Sequence, residues 1–163
     1  MLLTAALVLG LFNPVAHSAA HARPTTRHVH VGAWSVAVTR DRFAGAATCA
    51  INAADVSVHR GVAVFRLGHR QDTTHAVYRL DGGPPRDVSE AFDAVEARGF
   101  FPERGWIVDP DGGEVALPAT YLSGVRNVLL RVSPSQAPRR IKVTNLDEAI
   151  ASAKAYGCVD IAP

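Results

Sequence analysis

Two cysteines, Cys49 in "GAATCAIN" and Cys158 in "AYGCVDIAP", stand near opposite ends of the body of this chain, with none between them. In an oxidising compartment an even number of cysteines pairs, and two allow one connectivity. A Cys49–Cys158 bond closes a long loop, for which the chain-entropy model gives a stabilisation of about 4–5 kcal/mol. A redox or metal-binding thiol is the alternative. It is disfavoured because the chain has no C-x-x-C and neither cysteine lies among several histidines. The expected fold is therefore one whose final residues return to an early strand.

The compartment is read from the first residues, "MLLTAALVLGLFNPVAHSAAHA". Residues 2–12 are almost wholly apolar, which is the length of a signal-peptide core and too short to span a bilayer. The only positive charge ahead of that run is the N-terminal amine. Ala20-His21-Ala22 fits the A-x-A cleavage rule, with Ser18 and Ala20 as alternative cut sites. The expectation is a signal peptide over 1–22 and a single β-rich domain over 23–163, periplasmic or secreted, with no transmembrane segment in the mature chain. An uncleaved anchor or an apolar first helix is the alternative, and Asn13-Pro14 opposes that helix.

Of the 163 residues, 17 are Lys or Arg and 15 are Asp or Glu, giving a formal charge of +2. The cations are dispersed among acids, and only Arg139-Arg140 and the Arg23/Arg27 end look locally basic. Nucleic-acid binding asks for a clustered basic face, so no nucleic-acid partner is expected.

Short alternating runs dominate the rest. "VHVGAWSVAVT" (29–39) reads as one strand with a bulge at Gly32-Ala33, placing Trp34, Val36 and Val38 on one face. "ATCAINA" follows. "VSVHRGVAVFRLG" is strand-like with Arg60-Gly61 as a hairpin tip or bulge, and Ala63, Phe65 and Leu67 form its core side. "AVYRL", "EVALP", "RNVLLRVS" and "RRIKVT" are further strands, and "DGGPP" has tight-turn chemistry. Val88, Ala91, Phe92 and Val95 switch to helical spacing, with Asp87 and Glu90 as a capping box and Gly99 as the stop. A terminal helix over about 146–156 has Asn145 and Glu148 as its box. The tally predicts a mainly β fold, an antiparallel β-sandwich or curved sheet with two short helices, with α+β as the rival label.

The search for chemistry yields candidates without a catalytic motif. There is no G-x-S-x-G, S-x-x-K, P-loop or G-x-G-x-x-G. His28 and His30 form H-x-H, which on a strand puts both rings on one face. His69, Asp72 and His75 form H-x-x-D-x-x-H on a predicted loop. Either group suits zinc or copper, although alternating polar residues on a strand account equally for the first. "DPDGGE" departs from the calcium-loop register at its sixth position, Glu114, and is a turn. Phe100, Phe101, Trp106 and Tyr121 either line a ligand groove or form a satellite core.

Trp34 in "GAWSVAV", the "AATCAI" strand, "VALP" and the terminal "NLDEAIASA" together resemble the exported invasion-associated locus B family of bacterial proteins. The chain differs from that family in having no mid-chain cysteines. The resemblance implies a periplasmic or secreted β-sandwich without catalytic residues, associated with the envelope and sometimes with host contact. It supplies no active-site residue.

The expected function is thus an exported, non-enzymatic, envelope-associated or host-contact binding protein with no catalytic residues and no resident cofactor. Its partner is an unidentified envelope component or protein. A periplasmic zinc or copper binding protein, and a small secreted hydrolase with a groove near Trp106, are the alternatives.

Overall fold

The computed structural model describes residues 24–40, 45, 47–68, 71–99, 112–158 and 161. Among the described residues, ten strands form two antiparallel sheets. The strands are β1 (Thr25–Val31), β2 (Trp34–Arg40), β3 (Ala47–Ala53), β4 (Val56–His59), β5 (Val62–Arg66), β6 (Val77–Leu80), β7 (Arg86–Asp87), β8 (Glu114–Pro118), β9 (Asn127–Arg131) and β10 (Arg139–Lys142). Helix α1 is Phe92–Glu96 and helix α2 is Leu146–Ala155. The larger sheet runs β1-β2-β3-β4-β5-β8 and the smaller runs β10-β9-β6-β7. The mainly β reading holds.

Both sheets turn apolar residues into one core. Trp34, Val36 and Val38 of β2, Ala63 and Phe65 of β5, Tyr78 of β6 and Leu130 of β9 are buried in it. Leu146, Ala149 and Ala153, the stripe of α2, join the same cluster, and α2 packs on β2, β3 and β1. The Ala63/Phe65/Leu67 set is the core side of its strand, as its alternation predicts. Val62 and Val64, on the opposite face of β5, are also buried, in a second cluster with Val95 of α1 and Ala116. The segment after β7 places Val88 and Ala91 in the main core and Val95 on the outer face. A strand covered on both faces loses its alternation, which is why "VAVF" is continuously apolar.

Two sequence expectations are corrected. Residues 29–39 are not one bulged strand: β1 and β2 are a hairpin, with Val31 opposite Trp34 across Gly32-Ala33. Gly32 takes φ 57°, the positive first position of a type II′ turn. Asn145 does not form a capping box either. It sits in the left-handed region and makes no side-chain cap. Its Nδ2 instead donates to Glu148 Oε2 at 3.0 Å.

Other local signals act as read. Arg60 and Gly61, with φ of 46° and 72°, form the tip of the β4–β5 hairpin, where His59 pairs with Val62. Asp87 caps the 3₁₀ turn Val88–Ala91 with a complete capping box. "DGGPP" joins β6 to the two-residue β7.

Candidate functional site

The smaller sheet has one face in the core and one face outward. Tyr78, Val128, Leu130 and Ile141 point inward and are buried. Strand alternation therefore turns Val77 and Arg79 of β6, Leu129 and Arg131 of β9, and Arg140 and Lys142 of β10 to the outer face. Register sets their neighbours. Leu129 lies opposite both Arg140 and Arg79, so these three form one row across three strands. Val77 lies opposite Arg131 in the next row, and Asn127 opposite Lys142 in the row on the other side. Given ordinary strand spacing, the Arg79 and Arg140 backbones are about 10 Å apart, with Arg131 about 7 Å along the strand from their row.

Two shallow clefts occupy this face. One, of about 260 Å³, is lined by Val77, Arg79, Pro85, Leu129, Arg131 and Pro138. The other, of about 430 Å³, is lined by Arg79, Asp81, Gly82, Arg126, Asn127, Leu129 and Arg140. They share Arg79 and Leu129, so they form one trough with an aliphatic floor and a guanidinium rim.

None of those guanidiniums lies within ion-pair distance of a carboxylate among the described residues. Among the described residues, the ion pairs are Arg66–Glu114 at 3.5 Å and Arg139–Asp55 at 2.8 Å, and neither involves Arg79, Arg126, Arg131 or Arg140. The sequence neighbours Arg139 and Arg140 thus part company. Arg139 turns in and ties the two sheets, also donating to the Leu67 carbonyl at 2.9 Å. Arg140 turns out.

Among the described residues the acid that lines the trough is Asp81, and its carboxylate has a structural task. It accepts from the backbone N–H of Arg126 at 3.0 Å, the backbone N–H of Asn127 at 2.8 Å and Asn127 Nδ2 at 3.4 Å. These bonds, the Arg126 amide first, hold its pKa below the ordinary aspartate value. Asp81 therefore stays charged and fixes the entry to β9. It removes only part of the positive charge of the rim.

The residues singled out from sequence are distributed elsewhere. Cys49 and Cys158 are joined by a disulfide, with Cα atoms 5.7 Å apart. His28 and His30 are exposed on one face of the edge strand β1, while Val29 and Val31 turn toward the core. Among the described residues no three His, Cys, Asp or Glu side chains come together in a way that can hold a metal ion. Asp72 accepts from the Thr74 backbone N–H at 2.8 Å and from its hydroxyl at 2.5 Å, closing a turn. Those bonds, the hydroxyl first, lower its pKa. His75 is exposed on that turn. His69 lies outside the described residues, as do Phe100, Phe101 and Trp106. Tyr121 is half-buried and lines a cleft of about 340 Å³ with Leu80, Gly83, Pro84 and Arg86.

Sequence reasoning misses the arginine face because its members are dispersed between positions 79 and 142. The available signal is parity: in "VYRL", "NVLLR" and "RRIK" a cation falls at a position that alternation sends away from the core. No protein-family model, curated protein or solved structure matches this chain.

Proposed function

We propose that this chain is an exported, non-enzymatic binding domain that holds an anionic envelope component on the outer face of its smaller sheet. The observation that carries the reading is the row Arg140–Leu129–Arg79, flanked by Arg126 and Arg131, in which no guanidinium is ion-paired among the described residues. Four arginines drawn together beside one carboxylate, Asp81, leave a net positive field that attracts anions, and each planar fork can take an oxyanion through two bonds. The Cys49–Cys158 bond supports an oxidising destination, in keeping with the apolar leader and the A-x-A site. The likeness to the invasion-associated locus B family points the same way.

Ion-exchange behaviour tests the reading. Arg79→Gln with Arg140→Gln should elute from a sulfated matrix at clearly lower salt than the parent. A control pair off this face, Arg98→Gln with Lys154→Gln, changes the net charge equally. Equal shifts from the two pairs would show that retention reports net charge and not this face.

A further inference from the structure

We infer that the occupant of this face is an acidic polysaccharide, a chain of non-aromatic sugar units carrying repeated sulfate, phosphate or carboxylate groups. The inference rests on the reading that the face takes an anion, and it names the class. The trough is the first argument. Arg79 stands at the junction of the two clefts, with Arg131 at one end and Arg126 and Arg140 at the other. Such cations serve successive anions along a chain, whereas a single small anion needs donors converging on one point. Multivalent contact of this kind gains affinity with ligand length.

The floor decides between polyanions. Val77, Leu129, Pro85 and Pro138 are aliphatic, and among the described residues no aromatic side chain lines either cleft. Single-stranded nucleic acids are held by stacking bases on aromatic side chains, so only their phosphates would find partners here. A lipid surface is held by apolar side chains that enter the acyl boundary. Phe92, the exposed large hydrophobic residue among those described, lies on α1, which packs on β8 of the larger sheet. An acidic peptide engages a sheet most readily along an edge strand, through its backbone. Here Arg79 and Arg131 sit on β6 and β9, the interior strands, and of the row only Arg140 sits on an edge strand, β10. Sugar hydroxyls, by contrast, find polar partners beside the cations in Asn127 and Asp81.

The test is calorimetry on the disulfide-bonded protein with heparin-derived oligosaccharides from disaccharide to octasaccharide. A charge-matched oligothymidylate, phosphatidylglycerol vesicles and inorganic sulfate are titrated alongside. The expected result is octasaccharide affinity at least about tenfold above the disaccharide. The salt dependence should become shallower by about one unit for each of Arg79→Gln and Arg140→Gln. Both variants are checked for unchanged melting, since both side chains are exposed. Tighter, arginine-dependent binding of the oligothymidylate or the vesicles would overturn the polysaccharide inference and leave the anion-binding reading standing. Sulfate binding as tightly as the octasaccharide would do the same. Binding of these probes that ignores both substitutions, or no binding, would overturn both.

Discussion

The indole N–H of Trp34 donates to the backbone carbonyl of Thr144 at 2.8 Å, joining the first residue of β2 to the approach of α2. The indole itself is 1% exposed, and the turn before it carries Gly32 against the side chain of Asn145. The N-terminal end of α2 is therefore seated on the β1–β2 hairpin. Trp34→Phe keeps much of the packing and removes the donor, so it should cost about 1–2 kcal/mol. Trp34→Ala should cost about 3–5 kcal/mol. Urea denaturation of the two variants, compared through their midpoints, checks the order.

The other end of α2 is held by the disulfide. Cys158 follows the helix and bonds to Cys49, 109 residues away, and Ala47 bridges to the Cys158 backbone. Either Cys→Ala change should lower stability by up to about 4–5 kcal/mol. The double variant should cost little more than one alone, because both singles delete the same bond. Chemical denaturation under non-reducing conditions decides the matter, and additive losses would separate the two residues' roles.

Tyr78 is 1% exposed and its hydroxyl has no hydrogen-bond partner among the described residues. A buried donor of this kind carries a desolvation penalty with nothing to offset it. Tyr78→Phe should leave stability unchanged or raise it by about 1 kcal/mol, unlike most core substitutions. A thermal melt reads the sign.

His59, half-buried on β4, has its pKa pulled below the ordinary 6.5, by burial first and by the Arg66 charge second. The unfolded chain therefore takes up a proton near its ordinary pKa that the folded chain takes up only at lower pH. Stability from this group is complete above the unfolded pKa and is lost as pH falls from there through the folded pKa. His59→Gln should remove the part of the decline that begins near 6.5. The carboxylates add their own loss at lower pH, since Asp72, Asp81 and Asp87 all have lowered pKa values. Unfolding free energies measured from about pH 8 to about pH 5 isolate the histidine part.

Much of this architecture is written locally. Arg60-Gly61 signals a hairpin, Asp87 and Glu90 signal a capped turn, and "EVALP" signals a strand, each because a few adjacent residues supply the cause. The errors arise where one local pattern serves two structures. A bulge and a two-residue turn both reset the alternation between Val31 and Trp34, so "VHVGAWSVAVT" has the same apolar pattern in either case. Asn145-x-x-Glu148 fits a capping box, but the left-handed backbone at Asn145 turns its amide to the glutamate. The arginine face is a different matter. It exists only once β10, β9 and β6 are in register, and that register comes from the core-facing residues Tyr78, Leu130 and Ile141.

Backbone amide chemical shifts recorded during titration with an acidic octasaccharide test the central claim most directly. The account predicts perturbations confined to residues 77–82 and 126–142, where β6, β9 and β10 present Arg79, Arg126, Arg131 and Arg140. Arg79→Gln with Arg140→Gln should abolish them. Perturbations centred instead on His28 and His30 of β1, or on α2, would contradict it.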